Sequence, residues 1–371
     1  MTETKLPPDI QLDTGALGAL FQNTTNSYKY LFFLGLLEII KRDMSGSQVT
    51  RIVQIKELIA ESLRFGWYPH RFFKLSFGTQ DKVGLALDNL NFSIDERSVG
   101  HDATAKNLLQ AIREQFREIN GKHFARYVPY RLLGIFFSPE LKSIKKDGRK
   151  KEAISRLAGE RFYSKTPPLY RFSEHQDKIE LHPLWLEYLQ INYRVVRGWA
   201  LFEWAKFLQA RNPNTPAILQ KIEPPTRRTS MKQQTAFWDA VLEAAPMHCI
   251  YSGTVLEPGG FHLDHFIPWS FLCHNELWNL IPASRSANIS KGRSLPNEKN
   301  VQDFILQQSH ALKCSHQIMA ASNWRKAVQP YSDSLSLTYE SLLEEKCLLP
   351  AYENRLYPLL SLARQLGFVN L

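Results

Sequence analysis

Eight of the ten residues from Leu31 to Ile40 are apolar, and winding them at 3.6 residues per turn leaves almost no polar stripe. Leu31, Phe32, Phe33, Leu34, Leu36, Leu37, Ile39 and Ile40 cover nearly every side of such a helix. Asn26 or Ser27 can cap its start, and it is expected to run to about Lys41. A helix of this kind is stable in water only when other elements surround it, so the chain must build a helical domain around the segment. The segment is also too short for a bilayer. Glu38 and Lys41 follow the run from Tyr30 to Leu37, and no stretch reaches about 18 uncharged apolar residues, so no membrane span is expected.

The surrounding elements are legible from periodicity. A helix is expected at about 49–64, with Ile52, Ile55, Ile59 and Leu63 on one face, and another at about 103–119. A long helix should start at Pro183, a favourable first-turn residue, and run to about 210. Trp185, Tyr188, Leu189, Val196 and Trp199 form its stripe, and Gly198 is its weakest point. Asn212, Pro213, Asn214 and Pro216 end it. Pro224 and Pro225 follow, then Arg227, Arg228 and Lys232, which puts the domain boundary between Arg211 and Lys232 and the two domains at 1–232 and 233–371. The second domain should open with a short helix at about 235–245. Beyond Pro296 it should be helical again, at about 300–312, 318–328, 339–346 and 358–366.

The charge is divided as sharply as the prolines divide the chain. The net charge of the 371 residues is +10, yet Ala240–Leu371 holds 10 Lys and Arg against 11 Asp and Glu. The first 239 residues hold 36 against 25, so the whole basic excess lies there. This suggests a polyanion-binding part joined to a near-neutral one, with nucleic acid as one reading of the excess and no specific partner as the other. Lys145, Lys146, Lys150 and Lys151 belong to a basic run that is either a backbone-tracking patch or a solvated loop. Arg227 and Arg228 could guide a duplex toward the second domain. Phe65, Trp67, Tyr68, Phe72 and Phe73, mixed with His70 and Arg71, read as the edge of a core before a stacking platform for single strands. Four cysteines make no disulfide framework, and the first residues lack an apolar signal region, so a reducing cytoplasm is the expected setting.

The chemistry concentrates between His248 and Pro296. Gly259-Gly260 is a turn, Phe261 to His265 a short strand, and Pro268 closes it before an aromatic-rich loop. Trp278 to Ile281 is a second strand, and Ser284 can cap a short helix carrying Asn288 and Lys291. Asp264 and Asn288 offer hard oxygen donors, which suit Mg²⁺ or Mn²⁺ better than Zn²⁺. Alternation sends Asp264 and His265 to opposite faces unless the strand ends at His265, in which case both reach one phosphate. An imidazole is a suitable base for activating water. Lys291, three residues after Asn288, shares its helix face and can meet phosphate charge. His262 lies one strand period from Asp264 and could touch phosphate or support the site from behind. Arg285 and Arg293 flank the helix as phosphate contacts or as solvated side chains.

Asp264-His265-x-x-Pro268, Asn279-Leu280-Ile281 and Asn288-x-x-Lys291, in that order, resemble the HNH or ββα-metal nuclease motif. The similarity is greatest to the variant with Asn at the last position, as in the HNH domain of RNA-guided CRISPR effectors. Residues 23–29 weakly resemble the start of bacterial defence-type HNH proteins. The resemblance covers about residues 248–296. Together with the helices read above, it implies an α+β, mainly α-helical protein: a basic helical N-terminal domain, then a ββα-metal unit with helical C-terminal elaboration. It implies a metal-dependent endonuclease, with a restriction or anti-phage role as context. Asp264 and Asn288 would be metal ligands and His265 the general base. Asn279 would position the loop, and Lys291 would contact phosphate. Many HNH domains hold structural zinc on two Cys-x-x-Cys pairs, but here Ser252 stands where Cys249 would need its partner, and Cys273 has none. Structural zinc is therefore not expected. The alternatives are a non-catalytic nucleic-acid-binding subunit, or a nuclease active only within a complex or on RNA.

Overall fold

The computed structural model describes residues 6–22, 24–44, 51–94, 102–224 and 230–371. It is an α+β structure, mainly helical, with few and short strands. Two compact units form, one of Met1–Pro213 and Ile218–Thr226, the other of Asn214–Ala217 and Arg227–Leu371. Among the described residues, no helix is long and apolar enough to cross a membrane.

The first unit is organised by the Tyr28–Met44 helix. Leu31, Phe32, Phe33, Leu34, Leu36, Leu37 and Ile40 are all buried, as a helix apolar on all sides requires. Helices Ile55–Trp67, Gly121–Leu133, Pro183–Ile191 and Tyr193–Arg211 pack around it. Gly35 permits the closest of these crossings, because a Cβ there would meet Ser62 Oγ at 2.9 Å and Leu58 O at 3.3 Å. Phe65, Trp67, Tyr68, Phe72 and Phe73 are buried, so this aromatic cluster is core.

Three expectations for this unit need correction. The helix expected from about 49 begins at Ile55, and Ile52–Gln54 is instead strand β1. Positions 49 and 50 lie outside the described residues. Val53 turns inward and Ile52 outward, the alternation of a strand. The partner of β1 is distant in sequence: β3 (Lys178–Leu181) pairs antiparallel with both β1 and β2 (Tyr170–Phe172). Local periodicity carries no trace of such a partner. The long helix from Pro183 breaks at Asn192, not near Gly198. There the Asn192 side chain donates to Tyr188 O at 3.1 Å, competing with the helical bonds. The lysine run is split as well. Lys145 and Lys146 are exposed ahead of the Asp147–Glu160 helix, whereas Lys150 and Lys151 ride half-buried on it.

In the second unit, helices Glu298–Ile318, Ala321–Leu335 and Glu345–Gln365 pack together as a platform for two small two-stranded sheets. The helix expected at about 339–346 is only a 3₁₀ turn, Ser341–Leu343, and the one expected at about 358–366 is the end of a longer helix that starts at Glu345 and runs through Pro350 and Pro358. Leu348, Tyr352, Leu356, Leu360 and Ala363 form its buried stripe, and that packing outweighs two interior prolines. The platform grips the site-bearing hairpin at several points. Phe304 stacks on Phe266 with ring centroids 3.9 Å apart. Gln308 donates to Leu280 O at 2.8 Å and accepts from the Tyr331 hydroxyl at 2.7 Å. The Tyr352 hydroxyl donates to Trp278 O at 3.1 Å. These buried bonds leave the hairpin little freedom to slide.

Candidate active site

Strand β6 (His262–His265) pairs antiparallel with β7 (Leu280–Ala283), with Asp264 opposite Ile281 and His265 opposite Leu280. The Arg285–Lys291 helix follows β7 directly, capped by Ser284, whose hydroxyl accepts from Ala287 N at 3.4 Å. The order is strand, long loop, strand, helix. It brings Lys291 against Asp264 and the backbone of His265.

Asp264 is 3% exposed. Its Oδ2 accepts from the Tyr251 hydroxyl at 2.6 Å, and the Lys291 ammonium lies 3.1 Å from each carboxylate oxygen. Lys291, expected to meet phosphate from the helix surface, is 1% exposed. It turns inward, donating to Asp264 Oδ1 and to His265 O at 2.8 Å. A seven-residue helix lying on the hairpin leaves a long side chain from its last turn this inward route. Burial pushes the Asp264 carboxyl above its ordinary range, opposed by the Lys291 charge and by the hydrogen bonds from Tyr251 and Lys291. Burial, with the Asp264 charge beside it, holds the Tyr251 phenol well above its ordinary value, so Tyr251 is a permanent donor. Asn288 is half-buried one turn before Lys291 and on the same helix face.

His265 ends β6 half-buried. Its Nε2 lies 2.8 Å from Asn275 Oδ1. Asn275 is itself held through its carbonyl, which accepts from Gln234 Nε2 at 3.1 Å. Asn279 is fully buried and brackets one residue of the loop: its Oδ1 accepts from Ile267 N and its Nδ2 donates to Ile267 O, both at 2.9 Å. The Phe266 amide also donates to Asn279 O at 2.9 Å. The loop therefore leaves His265 along one fixed path. Asn279→Ala should strip both buried partners from Ile267 and cost about 1–3 kcal/mol. Urea unfolding of the variant measures this, and an unchanged midpoint would contradict it.

The remaining candidates are more dispersed. His262 is half-buried at the start of β6, Arg285 is exposed, and Arg293 packs over the Phe368 ring at 5.9 Å. Arg227 and Arg228 lie outside the described residues. Cys249 is buried and Cys273 partly so. Among the described residues, no three His, Cys, Asp or Glu side chains gather as a metal group. Two residues escaped the sequence reading, Tyr251 and Asn275. Tyr251 lies in the turn between β4 (Met247–His248) and β5 (Val255–Leu256), where Ser252 Oγ also bonds Ser284 Oγ at 3.2 Å. The turn that would carry a zinc-binding Cys pair is here tied to the site by hydroxyl groups instead. No spacing rule points to Tyr251. Asn275 carries no signal beyond being polar in an apolar loop.

Residues 249–297 match the family model of the HNH endonucleases. No curated protein and no solved structure matches the chain. The match spans the hairpin, the loop and the short helix, so this segment is an HNH endonuclease domain, the mark of a nuclease that acts on nucleic acid.

Proposed function

We propose that the protein is a metal-dependent endonuclease that hydrolyses phosphodiester bonds in DNA, double-stranded DNA first, and that Asp264, His265 and Asn288 do the work. The observation that carries this reading is the Lys291–Asp264 pair, which brings the helix bearing Asn288 against the strand bearing Asp264 and His265. The residues fit a divalent cation. Asp264 and Asn288 are hard oxygen donors, and the carboxylate already holds a positive charge 3.1 Å away. Asp264 and Asn288 would hold Mg²⁺ or Mn²⁺, which supplies charge stabilisation for the phosphate and for the departing 3′ oxygen.

The protein's own part is proton handling and positioning. With Asn275 Oδ1 as acceptor, the imidazole proton sits on Nε2 and the basic lone pair on Nδ1. His265 takes a proton from water as the water oxygen bonds to phosphorus. The bond to the 3′ oxygen breaks, leaving a 5′-phosphate and a 3′-hydroxyl. Asn279 keeps the His265 loop in place, and Asn275 keeps the ring turned toward the site. Restriction or anti-phage defence would suit such an activity.

Plasmid nicking with and without Mg²⁺ tests the reading, with single-stranded DNA and RNA as parallel substrates. EDTA should stop cleavage without changing the circular dichroism spectrum, and Mg²⁺ or Mn²⁺ should restore it. Stoichiometric zinc in the purified protein, lost together with the fold on chelation, would overturn the metal assignment. Absence of cleavage on every substrate would favour a non-catalytic binding subunit.

A further inference from the structure

Two cavities of about 450 and 730 Å³ open in the first unit and share Tyr28, Arg126, Tyr127, Arg131 and Lys151 as walls. The Gly121–Leu133 and Asp147–Glu160 helices supply most of the lining. Lys29, Lys82, Arg126, Arg131, Lys150 and Lys151 face this space against two carboxylates, Asp147 and Glu152. One of the two is already committed, since Asp147 pairs with Arg131 at 3.1 Å. Among the described residues, no carboxylate lies within ion-pair distance of Lys29, Lys82, Arg126 or Lys150. Lys29 donates to the carbonyl of Leu20 at 3.3 Å. Burial lowers the Lys29 ammonium below its ordinary range, and Arg131 adds to the effect. Burial also lowers His123 at the cavity wall, with Lys82, Arg131 and Arg126 adding to it. A field this positive in a concave, partly desolvated place favours a bound anion.

The walls also say what kind of anion. Tyr127 lies under two guanidinium groups, Arg126 at 5.3 Å and Arg131 at 5.4 Å from its ring. Lys151 Nζ lies 4.5 Å above the Tyr130 ring. Aromatic faces next to cations suit a base and its phosphate together. The volume is that of a small-molecule pocket and far too small for a duplex. We propose that this cavity binds a single nucleotide through its phosphate, with Lys150, Lys151 and Arg126 holding the charge and Tyr127 the base. The nucleotide is either free or the end of a nucleic-acid strand. The cavity is lined by residues of the first unit, and the proposal stands whether or not the nuclease reading does.

The full chain, in EDTA so that nothing is cleaved, is titrated with a fluorescent ATP analogue and with a 5′-phosphorylated oligothymidine. Saturable binding of either probe is expected. Preference for the first assigns a free nucleotide, and preference for the second a strand end. The double variant Lys150→Gln, Lys151→Gln should weaken that binding at least about 10-fold, the loss of charge-assisted contacts. Lys145→Gln with Lys146→Gln, just outside the cavity, should change it less than about twofold. Arg126→Gln, an exposed position, repeats the first test independently of any folding defect. No binding of either probe at millimolar concentration, or equal weakening by the two lysine pairs, would overturn the proposal.

Discussion

His265→Ala should lower phosphodiester cleavage by at least about 10²-fold, the low end for loss of a general base. The imidazole ends β6, and Asn275 turns it with a 2.8 Å bond. Alanine at this position removes the proposed base but keeps the backbone carbonyl that Lys291 uses. Tyr251, Asp264, Lys291 and Asn279 keep all their contacts, so fold and DNA affinity should persist. Single-turnover cleavage at saturating DNA isolates the chemical step, and a melting curve checks the fold. A variant that cleaves at near the parent rate would remove His265 from the mechanism. Asn275→Ala should give a smaller loss of the same kind, because the ring stays but its orientation is no longer held.

The placement of the candidate residues was legible in the sequence because they lie close together in the chain. Asp264, His265, Asn279 and Asn288 are set by the register of one hairpin and the first turns of one helix, and both follow from local signals: Gly259-Gly260, Pro268 and the Ser284 cap. The loop-positioning role of Asn279 came only from the family resemblance, and the second strand, expected at 278–281, instead runs Leu280–Ala283 with Asn279 in the turn before it. The direction of Lys291 was not legible. Helical spacing gives the face, but the seating of the helix on the hairpin decides whether that face meets solvent or Asp264. Tyr251 is 13 residues away from Asp264, on a different hairpin, and was invisible for the same reason. The fold divides along the same line. The central helix was plain, since eight apolar side chains leave one solution. β1 depended on β3, more than a hundred residues later, and the Pro350–Pro358 helix on a platform that overrides propensity. The break at Asn192 is a side-chain competition that periodicity does not detect.

Lys291→Met should destabilise the second unit by about 3–5 kcal/mol, because it leaves a buried carboxylate without its counter-charge. Asp264 would keep the Tyr251 hydroxyl bond, which satisfies one oxygen and does not neutralise the charge. Adding Asp264→Asn to the same chain should recover much of the loss, since removing both charges of a buried pair costs far less than removing one. Divalent ions separate this electrostatic account from simple loss of packing. In the parent protein a cation approaching Asp264 must displace the Lys291 ammonium. In Lys291→Met that competition is gone, so Mn²⁺ should raise the melting temperature more than it does in the parent. In Asp264→Asn the rise should nearly vanish. Thermal melts of the parent, Lys291→Met, Asp264→Asn and the double variant, each with and without Mn²⁺, decide the matter. A Mn²⁺ response equal in the parent and in Asp264→Asn would take Asp264 out of the metal site. A loss below about 1 kcal/mol in Lys291→Met would mean that the carboxylate is protonated rather than paired. The two outcomes differ in what Lys291 does: a paired ammonium keeps Asp264 ionised, and in the proposed mechanism it would have to give way to the metal ion.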